Sequence, residues 1–315
     1  MVSYEKKKGA VYGFLIGDAV GVPYEFYPSE KLKRLEVIDM IPPKKFNRSH
    51  KEVKPGTWSD DGAQMLCVLA SVLECRNFNI NNLAKKLLAW YEKGYMAVNQ
   101  KVFDIGVQTE KSLLEYRKTK NPLTSGLVVR NGRGNGSLMR VLPLALFGEY
   151  DDDEKLVEDA HNQSLITHGD IIPQICCAFY CLWIREIVTI NDIKKAFENT
   201  SDLLKKIYEE NKDYKEYLYY LEERLRPRDY NIKGKGTGYV LDTLRSVRDI
   251  LFDQDNYKDV IINSVLLGND TDTVAAIAGG IAGLYYGYDS IPEDWLILLK
   301  GKNIVEKVLS SSIQE

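Results

Sequence analysis

Apolar residues recur along most of the chain at the 3.6-residue spacing of an amphipathic helix. The clearest periodic segments are residues 64–76, 82–92 and 240–251. Their apolar positions are Leu66, Leu69 and Leu73, then Leu83, Leu87 and Trp90, and finally Val240, Leu244, Val247 and Leu251. A sustained alternation of apolar and polar residues, which is typical of half-buried strands, is missing. The pattern therefore predicts an all-α fold, built as a globular array of helices.

Short polar side chains precede several of these segments and predict where the helices begin. Asp153, Asn191 and Asp255 stand where a side chain can accept a hydrogen bond from the first helical turn. Residues 30–57 are charged and contain three prolines, which predicts a long surface loop of the kind that often carries function. Neither this loop nor any other segment has the composition of a linker, so we expect a single domain over residues 1–315.

Two sets of glycines recur at intervals of four residues and would form small-residue stripes on helices. A glycine inside a helix costs about 1 kcal/mol relative to alanine, so close packing has to offset several such losses. Because both stripes run beside acidic residues, they can bring the two ends of the chain to one centre. The stripes consist of Gly9, Gly13, Gly17 and Gly21, and of Gly279, Gly283 and Gly287.

Composition narrows the class of protein. The chain has 315 residues, 44% of them apolar, and a net charge of −3, which argues against non-specific nucleic-acid binding. No stretch reaches the roughly 18 uninterrupted apolar residues of a membrane span, and residues 274–286 come nearest. Five cysteines, an odd number without a secretory pattern, indicate a reducing compartment, so we expect a cytoplasmic protein. The three histidines do not form a zinc pattern with them.

Candidate chemistry is concentrated in two acidic clusters, residues 56–62 and 268–273, each directly before an apolar helix. Carboxylates at helix starts can simply be caps, because anions are favoured there. Carboxylates at the edge of a core also repel one another unless a cation joins them, and Mg²⁺ prefers oxygen ligands. The side chains that could hold two such ions are Ser59, Asp60, Asp61, Asp270, Asp272 and Thr273.

A glycine-rich segment, residues 134–140, has the composition of a turn that exposes backbone N–H groups at a helix start and can cradle phosphate. Many such turns bind nothing. His168 follows a predicted helix, where a histidine is usually structural but beside a phosphate can donate a hydrogen bond.

Taken in order, these motifs resemble those of the ADP-ribosylglycohydrolases, including the dinitrogenase-reductase-activating glycohydrolases. The resemblance runs from Gly9 to about Gly287, and its most specific parts are residues 59–61 and 270–273. It implies an orthogonal all-α fold and a binuclear Mg²⁺ or Mn²⁺ centre. Two positions depart from the family pattern: Ser59 stands where threonine is frequent, and Gly62 where a hydroxyl residue is frequent, which predicts one supporting contact fewer.

The resemblance also assigns residues to roles. Glu25 would lie beside the scissile ribose, and Asp104 matches a second acidic position of the bacterial members. The six oxygen donors named above would be metal ligands. The residues that would line the substrate are Gly134, Asn135, Gly136, Ser137 and His168 at the diphosphate, with Gly238 and Tyr239 near the distal nucleoside.

The implied reaction is hydrolysis of the bond at C1 of a ribose through an oxocarbenium-like transition state. Glu25 is the first candidate for activating the water or assisting the leaving group, and Asp104 is the second, with a helix N-cap as its alternative role. The expected partner is an ADP-ribosylated protein or an ADP-ribosyl small molecule, without nucleic acid or membrane. Two alternatives stay open: a non-catalytic ADP-ribose-binding relative, and a hydrolase of a free ADP-ribosyl compound. The sequence leaves the oligomeric state, the linkage and the choice of metal undetermined.

Overall fold

Helices account for almost all regular structure in the computed structural model, which describes residues 2–128 and 132–310. Over these residues the only β-pairings are three isolated bridges, and no sheet forms. The predicted all-α fold is confirmed. In chain order the α-helices are α1 (Tyr4–Gly21), α2 (Ser29–Leu32), α3 (Asp60–Cys75), α4 (Ile80–Lys93), α5 (Val107–Thr119), α6 (Leu142–Phe147), α7 (Asp153–Leu165), α8 (Ile171–Ile190), α9 (Ile193–Glu210), α10 (Lys215–Tyr220), α11 (Val240–Asp253), α12 (Tyr257–Leu266), α13 (Thr271–Tyr286), α14 (Glu293–Leu298) and α15 (Lys302–Ser310).

The three predicted N-caps are each displaced by one residue. Asp152, Asp192 and Asn256 are the capping residues of α7, α9 and α12, and each accepts a hydrogen bond from the N–H three positions ahead. The sequence places two or more Asp or Asn side chains next to one another at these points, and only the turn geometry selects the one that caps. The prediction of Asp153, Asn191 and Asp255 was therefore wrong by one position.

The glycine stripes pack α1 directly against α13 over their whole length. A Cβ on Gly13 would overlap the carbonyl oxygen of Gly279, and a Cβ on Gly9 would overlap that of Gly283. Farther along the pair, a Cβ on Gly21 would overlap the backbone of Asp272. Close backbone approach therefore explains the glycines within the two helices, and it brings the C-terminal end of α1 to the start of α13. The prediction was wrong for Gly287, which follows the last residue of α13, has a φ of 89° and would have no atom within 4 Å of a Cβ.

A single hydrophobic cluster of buried residues extends from Ala10 to Leu309. The helix α8 runs through it, with Cys177 and Cys181 both buried, as expected for small apolar side chains. By length and composition α8 could cross a membrane, and it rather than residues 274–286 is the nearest candidate; 78% of its apolar window lies buried inside the molecule. All five cysteines are free thiols.

The segment between α2 and α3 contains only turns, in agreement with the predicted loop. Buried side chains such as Met40 and Val53 nevertheless hold it against the core, and the side chain of Trp295 donates a hydrogen bond to Asp39. This loop carries His50 to the same side of the molecule as the starts of α3 and α13.

Candidate active site

A cleft of about 650 Å³ opens where α3 and α13 begin, a volume typical of sites for small ligands. Most of the predicted site residues line it: Glu25, Asp60, Asp61, Asp104, Gly134, Asn135, Gly136, His168, Gly238, Asp270 and Thr273. The remaining four, Ser59, Ser137, Tyr239 and Asp272, are not among its described lining residues. Segments far apart in the sequence thus meet at one cavity.

The first acidic cluster forms the N-terminus of α3. The Ser59 hydroxyl accepts a hydrogen bond from the Asp61 N–H. The same hydroxyl donates to a carboxylate oxygen of Asp61 at 3.1 Å. Asp18, buried in α1, accepts hydrogen bonds from the N–H groups of Ser59 and Gly62. Asp18 therefore satisfies the helix start from another helix, so that Asp60 and Asp61 are not consumed as caps.

The glycine at position 62 is dictated by packing. A Cβ at this position would lie 2.7 Å from the Trp58 ring and 2.8 Å from a methyl group of Leu15. No side chain fits there, so this departure from the family pattern follows from close contact between α3 and its surroundings.

The second acidic cluster begins α13 and meets the first directly. The Thr273 hydroxyl lies 3.3 Å from an oxygen of Asp61, across 212 positions of sequence. Carboxylate oxygens of Asp270, Asp272 and Glu25 lie within 4.8 Å of one another. The two clusters form one acidic centre.

None of the described residues that line the cleft is a lysine or an arginine, so the carboxylates of this centre have no such side chain between them. Burial raises the pKa of Asp60, Asp61 and Asp272, and neighbouring carboxylates raise it further. Among the described residues, the buried oxygens Asp61 Oδ1 and Asp272 Oδ2 have no hydrogen-bond partner. Unpartnered buried carboxylate oxygens are costly, whereas a hard divalent cation takes oxygen ligands of this kind. These oxygens therefore suit a divalent cation.

Glu25 is fixed to the second cluster through the backbone. The N–H of Phe26 donates to the carbonyl of Asn269 at 2.6 Å, and the N–H of Asn269 donates to the carbonyl of Tyr27 at 2.8 Å. Both Phe26 and Asn269 have positive φ, an uncommon conformation for non-glycine residues that here turns the chain at the cleft. Burial, Asp104 and Asp270 raise the pKa of Glu25 to about 11.

His50 contacts the Glu25 side chain, a relationship that the sequence did not indicate. Its Nε2 lies 2.5 Å from Glu25 Oε2 and 3.8 Å from Asp104 Oδ1, and its Nδ1 lies 3.5 Å from Glu52. The rings of Phe26 and Phe103 contact the imidazole in tilted orientations, with centroids 5.8 and 5.2 Å away. No periodicity or motif marks residue 50, and only its position in a long loop hinted at function.

Asp104 is not a helix cap, which rules out its alternative role. The N-cap of α5 is Gly106, two residues further on. Asp104 has a φ of 59° and faces Glu25, and burial followed by the charge of Asp270 raises its pKa to about 7. It belongs to the acidic centre.

The glycine-rich segment forms the opposite wall of the cleft. It consists of successive turns, and α6 begins only at Leu142, so the prediction of a helix start at residues 134–140 was wrong. The turn is held by Asn135, whose N–H donates to the carbonyl of Gly238 and whose side-chain amide donates to Asp270 at 2.7 Å. The N–H groups of Gly136 and Ser137 have no acceptor within residues 2–128 and 132–310. Free N–H groups of this kind can bind an anion.

The remaining predicted contacts differ in accessibility. Ser137 turns its hydroxyl into the core, where it accepts a hydrogen bond from Ser164 at 2.8 Å. Tyr239 is 40% exposed and flanks the cleft beside Arg133. His168 lines the cleft, and a Cβ on Gly136 would lie 2.9 Å from its ring. Sequence reasoning missed the lining residues Phe26, Val107, Gln108 and Thr109, whereas Met139 and Asn269 lie within segments that it had singled out.

Known proteins resemble this chain along its whole length. A family model of the ADP-ribosylglycohydrolases matches residues 2–314. ADP-ribosylarginine hydrolase Tri1 of Serratia proteamaculans (strain 568) is 32% identical over 93% of this chain and 75% of its own. ADP-ribosyl-[dinitrogen reductase] glycohydrolase of Rhodospirillum rubrum is 25% identical over 95% of this chain and 92% of its own. A solved structure described as an ADP-ribosylglycohydrolase-related protein complex aligns with a TM-score of 0.73 and 26% identity, covering 98% of this chain and 96% of that one.

Proposed function

The chain belongs to the ADP-ribosylglycohydrolase family, and from this premise we propose that its cleft binds two divalent cations, Mg²⁺ or Mn²⁺, and releases ADP-ribose from an arginine-linked substrate. The protein is a hydrolase that cleaves ADP-ribose from its substrate, in common with its relatives. The metal centre, the linkage and the roles of individual residues are the proposed part.

One observation carries the metal proposal. A ligand with a diphosphate would meet five carboxyl side chains in this cleft, and none of the described lining residues is a lysine or an arginine. Carboxylates and phosphates repel at this distance unless cations lie between them. The residues that would hold the ions are Ser59, Asp60, Asp61, Asp270, Asp272 and Thr273, with Glu25 close enough to share one. When bound, the ions supply positive charge that keeps these carboxylates ionised and orients ribose hydroxyls and water.

The side chains of the chain itself supply the proton transfers and the positioning. Glu25 accepts a proton from water as the water oxygen bonds to C1 of the ribose and the C1–N bond breaks. Asp104, within reach of the same His50, is placed to return a proton to the leaving nitrogen. The turn at residues 134–137 and His168 bind the diphosphate and hold C1 near Glu25.

Two observations favour arginine as the leaving group. Proteins named ADP-ribosylarginine hydrolase are 32% and 28% identical to the chain over at least 93% of its length. Beside Glu25, the ring of Phe26 is 69% exposed at the cleft, and Glu52 and Asp104 carry carboxylates nearby. A planar guanidinium is attracted both to aromatic faces and to carboxylates.

The test compares release of ADP-ribose from arginine-linked peptide, serine-linked peptide and a free ADP-ribosyl compound, with Mg²⁺, Mn²⁺ or EDTA. Metal-dependent release that is fastest from the arginine-linked peptide supports the proposal. Preference for the serine-linked or the free compound would contradict the linkage, and full activity in EDTA would contradict the metal centre. A mock purification from cells that do not express the protein serves as the control for contaminating hydrolase.

A further inference from the structure

Arg140 is a buried cation that makes no direct hydrogen bond to a carboxylate among the described residues. It is completely inaccessible to solvent, and no ion pair joins it to a carboxylate within residues 2–128 and 132–310. Burial lowers the pKa of its guanidinium to about 10. Burying an unpaired charge is unfavourable unless hydrogen bonds compensate, so the acceptors around Arg140 show what it does.

All of these acceptors are neutral oxygens. The guanidinium donates to the side-chain and main-chain oxygens of Gln163 at 3.0 and 2.9 Å, to Gln64 Oε1 at 3.0 Å and to Thr167 Oγ1 at 2.8 Å. Two of these contacts continue to the cleft. Gln64 donates to Asp60 at 3.0 Å, and Thr167 contacts Nδ1 of His168 at 2.9 Å. Arg140 therefore joins the acidic centre to the wall that carries His168.

The direction of these hydrogen bonds sets the proton on His168. A guanidinium can only donate, so Thr167 Oγ1 is the acceptor toward Arg140 and its own proton remains to be donated. Within the described residues, the only other hydrogen-bond contact of this hydroxyl is Nδ1 of His168. Nδ1 is then an acceptor, and in a neutral imidazole the ring proton is left on Nε2.

The Nε2 atom is the ring nitrogen that faces the cleft. A Cβ on Gly136 would lie 3.4 Å from it, and a Cβ on Gly134 would lie 3.6 Å away. We propose that Arg140 is a positioning residue, acting through Thr167 to hold His168 as the Nε2–H tautomer, so that this nitrogen donates to an anionic oxygen of the ligand. The ligand part of this inference rests on the proposed function. Burial and the charge of Arg140 also lower the pKa of His168 to about 3, which keeps the ring neutral.

A neutral His168 with its proton fixed on Nε2 binds an anion differently from a histidine that becomes charged. It binds an anion without adding a charge that would compete for the neighbouring carboxylates, and its proton is in place before the ligand arrives. Preorganisation of this kind strengthens binding because no rotamer or tautomer has to be selected when the ligand enters.

The test uses the pair Thr167→Val and Thr167→Ser, since the first removes the hydroxyl at nearly constant shape and the second retains it. Nitrogen-15 NMR of the imidazoles reports the tautomer directly, and the chain has only three histidines to assign. We expect the wild type and Thr167→Ser to show a protonated Nε2 on His168, and Thr167→Val to show a mixture or a protonated Nδ1. Arg140→Lys, checked for folding by circular dichroism, is expected to lose the single tautomer as well, because an ammonium group does not replace the forked contacts to Gln163 and Thr167.

Ligand binding provides the second readout, by calorimetry with ADP-ribose and Mg²⁺. Thr167→Val should bind ADP-ribose about tenfold or more weakly, the loss expected for a hydrogen bond to a charged group, with Thr167→Ser close to wild type. A protonated Nδ1 in an active wild type, or Thr167→Val that retains tautomer and affinity, would overturn this inference alone. A wild type that binds no ADP-ribose would overturn the proposed function together with the ligand part of the inference, while the NMR result would still decide the role of Arg140 and Thr167.

Discussion

The imidazole Nε2 of His50 lies 2.5 Å from Oε2 of Glu25, which joins the loop between α2 and α3 to the carboxylate nearest the proposed reaction. The ring is only 11% exposed and its other nitrogen faces Glu52. The contact with His50 holds the Glu25 carboxylate in one orientation, and a proton acceptor must be correctly oriented toward the water.

Substitution of His50 tests this positioning role. We expect His50→Gln to lower kcat about tenfold with KM changed less than about twofold, because the ligand contacts remain while Glu25 loses its orientation. Steady-state kinetics on the arginine-linked peptide measures both. Glu36→Gln is the control, since Glu36 is exposed in the same loop. An unchanged kcat in His50→Gln would show that Glu25 needs no partner.

Glu25→Gln removes the proposed base at almost constant shape. We expect normal folding and a fall in kcat of about 10² to 10⁴, the usual contribution of a general base. The melting temperature and the calorimetric affinity for ADP-ribose should stay near those of the wild type. Wild-type turnover would remove Glu25 from the mechanism.

Asp272→Asn separates metal binding from folding. Without metal, we expect the variant to melt at a higher temperature than the wild type. Burial and neighbouring carboxylates raise the pKa of Asp272, and the variant no longer has to keep this carboxyl protonated in order to fold. It should lose the stabilisation that Mg²⁺ or Mn²⁺ gives the wild type, and calorimetry should detect weakened metal binding. The exposed Asp255→Asn serves as the control. Metal affinity equal to that of the wild type would contradict the assignment of Asp272 as a ligand.

The acidic centre also predicts a pH dependence. The folded-state pKa values of Asp18 and Asp104 are raised to about 7, chiefly by burial, whereas the pKa of an aspartate in the unfolded chain is about 3.9. Between these values the folded protein holds more protons than the unfolded chain, so stability without metal falls as pH rises from about 4 to 7. In the proposed metal centre, divalent cations would take the place of such protons.

The rise in melting temperature caused by Mg²⁺ should therefore grow between pH 5 and 8. Differential scanning fluorimetry with Mg²⁺ or EDTA measures this difference. The buried histidines, His161 and His168, have lowered pKa values, so they make the folded protein less stable as the pH falls. This effect is the same with Mg²⁺ and with EDTA and cancels in the difference. A metal-induced rise that is the same at every pH would be inconsistent with protons and metal competing for the centre.

The glycine stripe predicts a reversal of the usual helix propensity. Alanine normally stabilises a helix by about 1 kcal/mol relative to glycine. Gly13→Ala should instead destabilise the protein by about 2 kcal/mol or more, because the new methyl group overlaps the backbone of α13. Denaturant unfolding measures the change. Gly106→Ala is the control, since its Cβ would have only one neighbour, at 3.8 Å; equal stability of the two variants would refute the close packing.

The sequence predicted best those features in which the local pattern of residues reflects their packing in the fold. The helical period located α3, α4 and α11 to within four residues, because an apolar stripe that faces a core leaves a direct record in the sequence. Capping was less exact, because adjacent Asp and Asn side chains are equivalent until the turn forms. Glycine spacing and the repulsion between adjacent carboxylates predicted that the two acidic clusters meet at one centre, and the structure adds the contact between Asp61 and Thr273.

What the sequence did not reveal depends on contacts between irregular segments. His50 lies in a loop without periodicity, and its partner Glu25 is 25 positions away. In the sequence nothing distinguishes Arg140 from its neighbours in the turn. Only its hydrogen bonds to Gln64 and Thr167 show that it connects the acidic centre to the opposite wall of the cleft. In the sequence Asp18 is only a polar residue within the apolar segment of α1, and the structure shows that it accepts a hydrogen bond at the start of α3. Each of these side chains acts across the fold, where a linear pattern carries little information.

The pairing of α1 with α13 has a consequence for biosynthesis. Glu25 and Asp61 are translated early, but the oxygens that complete their centre come from Asp270 to Thr273, more than two hundred codons later. A nascent chain on the ribosome therefore lacks the second acidic cluster of the cleft until translation is nearly finished. We therefore expect a truncated product that lacks α13 to have no hydrolase activity.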